Sequence, residues 1–258
     1  GVATATQLTA IGPCAETMVT PPPTLLGTII QDNASILAMT VLIQLLNPGN
    51  PIIYNSLSAP SDMRSVQLSI GASESFLLSM ATLGMARFYN MPARTIGAYS
   101  DAIDVDYQAG AESMLTGMAP ILGRSDQLTH AIGTMGSFNY GSFEKFVLDE
   151  EVLLYLKRVQ QGINFSEGRE SCDLMKEVGP RGSYIQRRTP KAYREEHYLS
   201  KLFHRKGSGI TMREQVGTLR SRAAAEVERR LEEYKLPETT KAQDAILNEV
   251  LVNLDYDI

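Results

Sequence analysis

The charged residues of this chain are divided very unevenly between its two parts. Residues 1–141 contain 4 Lys and Arg residues and 9 Asp and Glu residues, whereas residues 142–258 contain 20 of each kind. A region with so few charges lacks a well-solvated surface, so we expect other protein to cover much of residues 1–141. The densely charged part is typical of helices with one face in water. The sequence therefore predicts barrel-type βα units over 1–141 and a mainly helical region over 142–258.

Short β-like runs alternate with longer helical runs in the sparsely charged region. The predicted strands are 6–11, 51–54, 93–99 and 127–135, and turn residues precede the second and third of them. The predicted helices are 24–46, 74–89 with Ser73 as its N-cap, and 108–122. This order indicates parallel βα repeats. Four units are too few for a closed eight-stranded barrel, so either the sheet is open or the chain is the later part of a longer protein.

The second region is predicted to be helical. Helices are expected over 143–161, which ends at Gly162, over 223–235 before Pro237, and over 241–254. Ile246, Val250 and Leu254 share one face of the last of these helices. The stretch 181–206 is locally basic, and it is either a docking surface for a partner protein or a solvated helix face.

Composition argues against several classes of protein. A net charge of −5 and a pI near 5.3 are unlike those of nucleic-acid-binding proteins, which need a positive field. The longest apolar stretch, 25–46, contains Gln31, Asp32, Asn33 and Gln44, so we expect a soluble helix there and no membrane span. Two cysteines cannot form a disulfide framework, and no signal peptide is recognisable, so the expected location is the cytoplasm.

The sequence lacks the common short catalytic motifs. It contains no Gly-x-Gly-x-x-Gly, P-loop, Gly-x-Ser-x-Gly, His-Glu-x-x-His or Cys-x-x-Cys. Cys14, Cys172 and His130 would be the ligands of a zinc site, but their spacing matches no metal motif. A metal-dependent barrel enzyme therefore stays an alternative, and no metal site is predicted.

Carboxylates and aromatic rings follow the third predicted strand. Tyr99 and Asp101 begin the run Tyr-Ser-Asp-Ala-Ile-Asp-Val-Asp-Tyr that ends at Tyr107. In parallel βα folds the carboxyl ends of the strands build the active site. Rings and carboxylates together suit an organic cation, through cation–π and charge attraction. The alternative is that these aspartates cap the next helix and face water.

The fourth predicted strand runs into a glycine-rich segment with further candidates. Phe138 and Tyr140 are positioned to line a pocket, and His130 is either a ligand-binding group or an ordinary core histidine. Arg94 is one of only four basic residues before position 142. Such an arginine needs an anionic partner, which is either a structural carboxylate or the carboxylate of a substrate.

Several ordered stretches of the chain are similar to the trimethylamine methyltransferase family. They are Pro-Gly-Asn-Pro-Ile-Ile-Tyr at 48–54, Ser-Asp-Met-Arg at 61–64, Asp-Tyr-Gln-Ala-Gly-Ala-Glu-Ser at 106–113, and Ser-Phe-Glu-Lys-Phe-Val-Leu-Asp-Glu-Glu at 142–151. Members of that family resemble a TIM (β/α)8 barrel with a helical C-terminal region and are about twice this length. The resemblance implies that this chain supplies the later half of the barrel.

The resemblance also implies an activity. It is the transfer of a methyl group from a methylated amine to the Co(I) of a separate corrinoid (cobalamin) protein, with no cofactor bound directly by this chain. The trimethylamine enzymes carry pyrrolysine at a position that falls within 95–101 here, where this sequence has only ordinary residues. The resemblance is therefore to the branch without pyrrolysine, which demethylates quaternary amines such as glycine betaine.

These considerations predict a substrate site made of six residues. Tyr99, Phe138 and Tyr140 would surround the ammonium group, Asp101 would add negative charge, and Arg94 or His130 would bind a substrate carboxylate. The expected partners are the corrinoid protein, together with either a second copy of the chain or the missing barrel half. A non-catalytic barrel fragment or subunit is the remaining alternative.

Overall fold

The structure, a computed structural model, describes residues 7–185, 190–205 and 216–252. The described residues form nine strands and eight helices. The strands are β1 (Thr9–Ile11), β2 (Glu16–Thr17), β3 (Ile52–Asn55), β4 (Ala59–Asp62), β5 (Gln67–Leu68), β6 (Ala93–Ile96), β7 (Gln127–Thr129), β8 (Thr134–Met135) and β9 (Tyr140–Gly141). The helices are α1 (Leu25–Leu46), α2 (Ser73–Phe88), α3 (Tyr107–Leu122), α4 (Phe143–Gln161), α5 (Cys172–Val178), α6 (Lys191–Glu196), α7 (Leu219–Glu233) and α8 (Lys241–Val252).

A parallel four-stranded sheet organises the first region. Its order is β1-β3-β6-β7, so each strand pairs with the next one along the chain that belongs to this sheet. Helices α1, α2 and α3 form the successive crossovers, as parallel pairing requires. The predicted parallel βα repeats are confirmed. Among the described residues β1 and β7 are the edges of this sheet, and its closure into a barrel stays a prediction.

Two small sheets extend the loops at one end of the main sheet. Strand β2 runs parallel to β4, which pairs antiparallel with β5, and β8 and β9 form a short antiparallel hairpin. Because these strands follow β1, β3 and β7 in the chain, the small sheets lie beyond the carboxyl ends of the main strands. That end of the sheet is where βα proteins place their functional residues.

Helices α1 and α2 bury the main hydrophobic core against the sheet. The core contains Ile11, Ile36, Ile43, Ile52, Tyr54, Leu83, Ala86 and Ala93. Each large aliphatic side chain buried in this way contributes about 1.5–3 kcal/mol to folding. Tyr54 also donates a hydrogen bond from its hydroxyl to Asn33 Oδ1 of α1 at 3.1 Å. This core fixes the strand ends from which the candidate site is built.

Helix α1 makes a further polar contact with the loop that follows β3, and it has one exposed apolar face. Asp32 is buried, and its two oxygens accept hydrogen bonds from Ser56 Oγ at 2.7 Å and Ser58 Oγ at 3.0 Å. Burial raises the pKa of this carboxyl. On the opposite side Leu26 and Leu45 are exposed to 66% and 76%. The helix is long and apolar enough to cross a membrane by length and hydropathy alone, but Asp32 ties it to the sheet.

Three of the predicted strands are shorter than expected. Of the first, 6–11, only Thr9–Ile11 forms a strand among the described residues. The prediction of 93–99 was wrong beyond Ile96, because Ala98 has a left-handed φ of 56° that ends the strand. The prediction of 127–135 as one strand was also wrong. Strand β7 ends at Thr129, and a left-handed turn separates it from Thr134 and Met135, which belong to the β8–β9 hairpin.

Helix α2 is not capped by Ser73, contrary to the sequence prediction. Ser73 is itself the first helical residue, and its hydroxyl donates to Glu74 Oε2 at 3.1 Å. In contrast, Asp106 is the N-cap of α3 and accepts a hydrogen bond from the Ala109 amide at 3.0 Å. For Asp106 the capping alternative is therefore confirmed.

The two helix starts should respond differently to alanine. We expect Asp106→Ala to lower the free energy of unfolding by about 1 kcal/mol, because it removes a cap hydrogen bond. Ser73→Ala should leave the unfolding free energy within about 0.5 kcal/mol of the wild type, since no cap is lost. Urea denaturation of both variants measures the difference. Equal losses in both would contradict the cap assignment.

After residue 142 the described residues form the helices α4 to α8. Helix α4 is capped by Ser142, whose Oγ accepts from the Lys145 amide at 3.2 Å, and it ends at Gly162 with a left-handed φ of 68°. A second core of Val147, Leu148, Leu202 and Ala223 joins α4 to α7. Thr6, Leu254 and the basic residues Arg187, Arg188 and Lys206 lie outside the described residues.

Candidate functional site

A cavity of about 630 Å³ opens beyond the carboxyl ends of the parallel strands. Cys14, Leu57 and His130 reach it from the segments that follow β1, β3 and β7. The hairpin and the start of α4 supply the rest of its lining, which is Ile132, Gly133, Thr134, Phe138, Tyr140, Gly141, Ser142, Phe143 and Phe146. A cavity of this size accommodates a small organic molecule.

The walls of this cavity are mainly apolar and rich in aromatic rings, and none of the described residues that line it is a lysine, an arginine or a carboxylate. Phe138, Tyr140 and Phe146 are 38%, 43% and 42% exposed, so their rings are accessible to a ligand. Phe143, one helical turn before Phe146, is more exposed at 71%. Ring faces attract an organic cation by their quadrupole. This lining suits a positively charged or apolar group better than an anion.

Three of the six residues predicted for the site line the cavity. They are His130, Phe138 and Tyr140. The His130 ring lies edge-on to Phe138, with 5.8 Å between the ring centroids. His130 is exposed, so the interpretation as an ordinary core histidine is wrong. The Tyr140 hydroxyl donates to the Ala102 carbonyl at 3.2 Å, which holds its ring at the cavity wall.

Tyr99 lies behind the cavity wall and does not line it. Its side chain is only 1% exposed, and its ring centroid is 5.7 Å from that of Phe138. Burial raises the pKa of its hydroxyl, which also hydrogen-bonds Ser79. Tyr99 therefore supports Phe138 from behind the wall, and the prediction that it surrounds the ligand directly does not fit this position.

Asp101 also lies outside the lining and joins two loops. Its carboxylate accepts hydrogen bonds from the Ile70 and Gly71 amides at 3.1 and 2.9 Å, and from Ser137 Oγ at 2.6 Å. Burial raises the pKa of the carboxyl, while these donors oppose that change. It is not a helix cap. Its position explains how residue 137, next to Phe138, is tied to the loop before α2.

Arg94 is not placed to bind a ligand in the cavity. It lies near the start of β6, and its Nε donates to Thr129 Oγ1 at 2.8 Å. No carboxylate of the described residues forms an ion pair with it, so the expected structural ion pair is absent from that part of the chain. Arg94 does not line the cavity.

The segment 130–138 adopts an unusual backbone as it passes along the cavity. Six of its residues have φ between 50° and 78°. They are His130, Ile132, Gly133, Gly136, Ser137 and Phe138. A β-branched residue such as Ile132 rarely adopts this conformation, which costs on the order of 1–3 kcal/mol. Such strain persists only where surrounding contacts hold the chain in place.

A buried ion pair stands directly behind this segment. Lys145 Nζ contacts Asp149 Oδ2, and it donates to Ser113 Oγ at 2.7 Å. The two charged side chains are only 2% and 4% exposed. Asp149 Oδ2 also accepts from the Gly133 amide at 2.8 Å. Burial lowers the pKa of Lys145 and raises that of Asp149, whereas their mutual attraction opposes both shifts.

Several functional candidates were missed by the sequence analysis. Phe143 and Phe146 were assigned to an outer helix, although their spacing of three already placed them on one helix face. Lys145 and Asp149 have the i, i+4 spacing of an ordinary surface pair, so no local pattern indicates that they are buried. Asn55, 1% exposed at the end of β3, has an Oδ1 with no partner in the described residues.

The residues proposed for a zinc site are not brought together. Cys14 and His130 line the cavity, but Cys172 begins α5 in the helical region. Within the described ranges no cluster of three or more His, Cys, Asp or Glu side chains is placed to hold a metal ion. Both cysteines are free and exposed.

Comparison with known proteins places the chain in a family. A family model described as trimethylamine methyltransferase matches residues 1–253. The chain belongs to the trimethylamine methyltransferase family. The resemblance inferred from the ordered motifs is thereby confirmed.

Three relatives of this methyltransferase-family chain are named for other methylated amines. It is 46% identical over 94% of its length to L-carnitine:corrinoid methyltransferase of Eubacterium limosum, and 47% identical over 92% to proline betaine:corrinoid methyltransferase of the same organism. It is 38% identical over 88% to glycine betaine methyltransferase of Desulfitobacterium hafniense. The chain covers 50%, 50% and 48% of these three relatives, which is about half their length.

Proposed function

We propose that this chain carries the substrate-binding part of a corrinoid-dependent methyltransferase that takes a methyl group from a quaternary amine. The observation that carries the proposal is the aromatic cavity at the carboxyl ends of the parallel strands, whose lining includes Phe138, Tyr140, Phe143 and Phe146. Family membership and the corrinoid methyltransferases among its relatives support the reaction type.

A quaternary ammonium group fits this cavity by its chemistry. It is a permanent cation without an N–H donor, so ring faces recognise it while hydrogen-bond acceptors do not. The positive charge on nitrogen also makes the amine a good leaving group. Three relatives are named for carnitine, proline betaine and glycine betaine as substrates. Each of these three compounds is a quaternary amine.

The residues of this chain would act by binding and orientation. The rings hold the ammonium group so that one N–CH3 bond points out of the cavity, and the apolar walls exclude water from it. The partner's corrinoid supplies the Co(I) nucleophile. As the N–CH3 bond breaks, its electron pair stays on nitrogen and a neutral tertiary amine is released. His130 is proposed to bind the substrate carboxylate, since an imidazole N–H can donate a hydrogen bond to it and the other candidate, Arg94, does not line the cavity.

The remaining parts of the proposal concern the assembly. We propose that the parallel sheet is half of a (β/α)8 barrel, completed by further polypeptide or by another chain at the edges β1 and β7. It stays a prediction that residues 142–258 form a region of their own. It also stays a prediction that the corrinoid protein docks on the stretch 181–206. The free cysteines support a reducing cytoplasmic location.

Calorimetry tests the proposed substrate class directly. The chain should bind at least one of glycine betaine, carnitine and proline betaine, and it should bind trimethylamine far more weakly. Binding of a quaternary amine should then predict which substrate methylates the corrinoid protein. Tight binding of trimethylamine with no response to the quaternary amines would contradict the proposal.

The aromatic wall can be tested at Phe138. We expect Phe138→Ala to weaken quaternary-amine binding by about 1–2 kcal/mol, a loss of about 5- to 30-fold in affinity, because one cation–π contact is removed. Phe88→Ala is a matched control, since Phe88 is 77% exposed at the far end of α2. Unchanged affinity in the Phe138 variant, measured by calorimetry, would remove this ring from the site.

The state of assembly gives an independent test of the half-barrel proposal. With two open edges, the 28.3 kDa chain should elute as a larger species in size-exclusion chromatography with light scattering. A well-behaved monomer over a wide concentration range would contradict the open-sheet assembly.

A further inference from the structure

Part of the cavity wall is a segment whose backbone conformation is strained and must be held by contacts with the rest of the fold. Residues 130–138 contribute His130, Ile132, Gly133, Thr134 and Phe138 to the lining. Six residues of this segment are in the left-handed region, and four of them are not glycine. Relaxation of any of these would move His130 or Phe138 away from its present position. The contacts that oppose relaxation therefore bear directly on ligand binding.

Asp149 provides such a contact at the centre of the segment. It accepts the Gly133 amide hydrogen at 2.8 Å from a position on α4, in the second turn after the capped start of that helix. Gly133 is buried, and its amide lies between the His130 turn and the β8–β9 hairpin. A buried N–H that loses its acceptor carries its full desolvation cost, so this bond favours the observed conformation strongly.

Lys145 and Ser113 hold Asp149 in place. Lys145 lies one helical turn before Asp149 and binds the same oxygen that accepts from Gly133. Ser113 of α3 accepts from Lys145 Nζ at 2.7 Å, which anchors the ion pair to the helix that packs beside α4. None of these three side chains lines the cavity.

We propose that Lys145 and Asp149 are positioning residues that hold the segment 130–138 in the conformation that presents His130 and Phe138 to the ligand. This role rests on the proposed function, because it assigns the segment to the recognition of the quaternary amine. The ion pair acts through the Gly133 amide and does not touch the substrate. A buried charge pair is by itself weak evidence for stability, which favours a positioning role for this one behind the cavity wall.

A pair of double variants isolates the bond to Gly133. Lys145→Met combined with Asp149→Asn removes both charges but keeps a carbonyl oxygen opposite the Gly133 amide. Lys145→Met combined with Asp149→Leu removes the charges and also the acceptor. Both variants avoid an unpaired buried charge, so both are expected to fold. The two proteins differ only in the acceptor, which makes the asparagine variant a rescue control.

Hydrogen exchange measured by mass spectrometry is the first readout. In the leucine variant the amides of 130–138 should exchange at least about tenfold faster than in the wild type, while the asparagine variant stays close to it. The amides of α2 should be unchanged in both. Equal exchange in the segment for both variants and the wild type would overturn the proposal.

Affinity for glycine betaine, carnitine and proline betaine is the second readout. It should fall about tenfold in the leucine variant and recover in the asparagine variant. Faster exchange with unchanged affinity would overturn the positioning role. If the wild type binds none of these amines, the proposed function fails, whereas the exchange comparison still decides whether the pair holds the segment.

Discussion

Replacing Lys145 with alanine should strongly destabilise the protein. The change leaves Asp149 buried without its counter-charge, and breaking a buried ion pair from one side costs about 3–5 kcal/mol. Ser113 also loses the hydrogen bond that Lys145 donates to it. We expect a loss of that size in the free energy of unfolding, measured by urea denaturation with helical circular dichroism as the signal.

A matched surface pair shows whether burial is the cause. Lys176 is paired with Asp173 at 3.0 Å, but the two side chains are 78% and 98% exposed. Lys176→Ala should leave the denaturation midpoint essentially unchanged, because exposed pairs are screened by water. If both lysine variants lost the same stability, the burial of the Lys145–Asp149 pair would not be responsible.

Replacing Tyr99 separates a structural role from ligand contact. Tyr99→Ala should lower the unfolding free energy by about 3–5 kcal/mol, since it leaves a cavity where a large ring was almost completely buried. Tyr99→Phe keeps that ring and should preserve affinity for the quaternary amine. Denaturation and calorimetry on the two variants test these results separately.

The alternative role for Tyr99 would give a different result. If its hydroxyl touched the ligand, Tyr99→Phe would reduce affinity while leaving stability nearly intact. In the structure that hydroxyl bonds Ser79 of α2, which does not line the cavity, so we expect only a small loss of stability from its removal.

Local patterns in the sequence were enough to predict most of the α/β framework. The apolar run at 51–54 became β3, and Thr24 and Ser142 cap α1 and α4 at the predicted helix starts. These features depend on neighbouring residues alone. Hydrophobic periodicity and capping are local properties, so a single chain reports them directly.

The site was predicted less completely, because it depends on contacts between distant segments. The sequence at 127–135 is apolar enough for a strand, but the Asp149 contact with Gly133 and the left-handed turn belong to tertiary packing. Phe143 reaches the cavity only because α4 begins beside the hairpin. Neither of these tertiary contacts can be detected from the local periodicity of the sequence.

The sheet has open edges among the described residues, and α1 has an exposed apolar face. We therefore expect the stability of this chain to depend on concentration. In the proposed half-barrel assembly, the chain that covers Leu26, Leu45 and the strands β1 and β7 would bind the folded form and not the unfolded chain. By mass action such binding raises the temperature of unfolding as the covering partner becomes more abundant. A melting temperature for this chain therefore has meaning only together with the amount of protein, or of partner, at which it was measured.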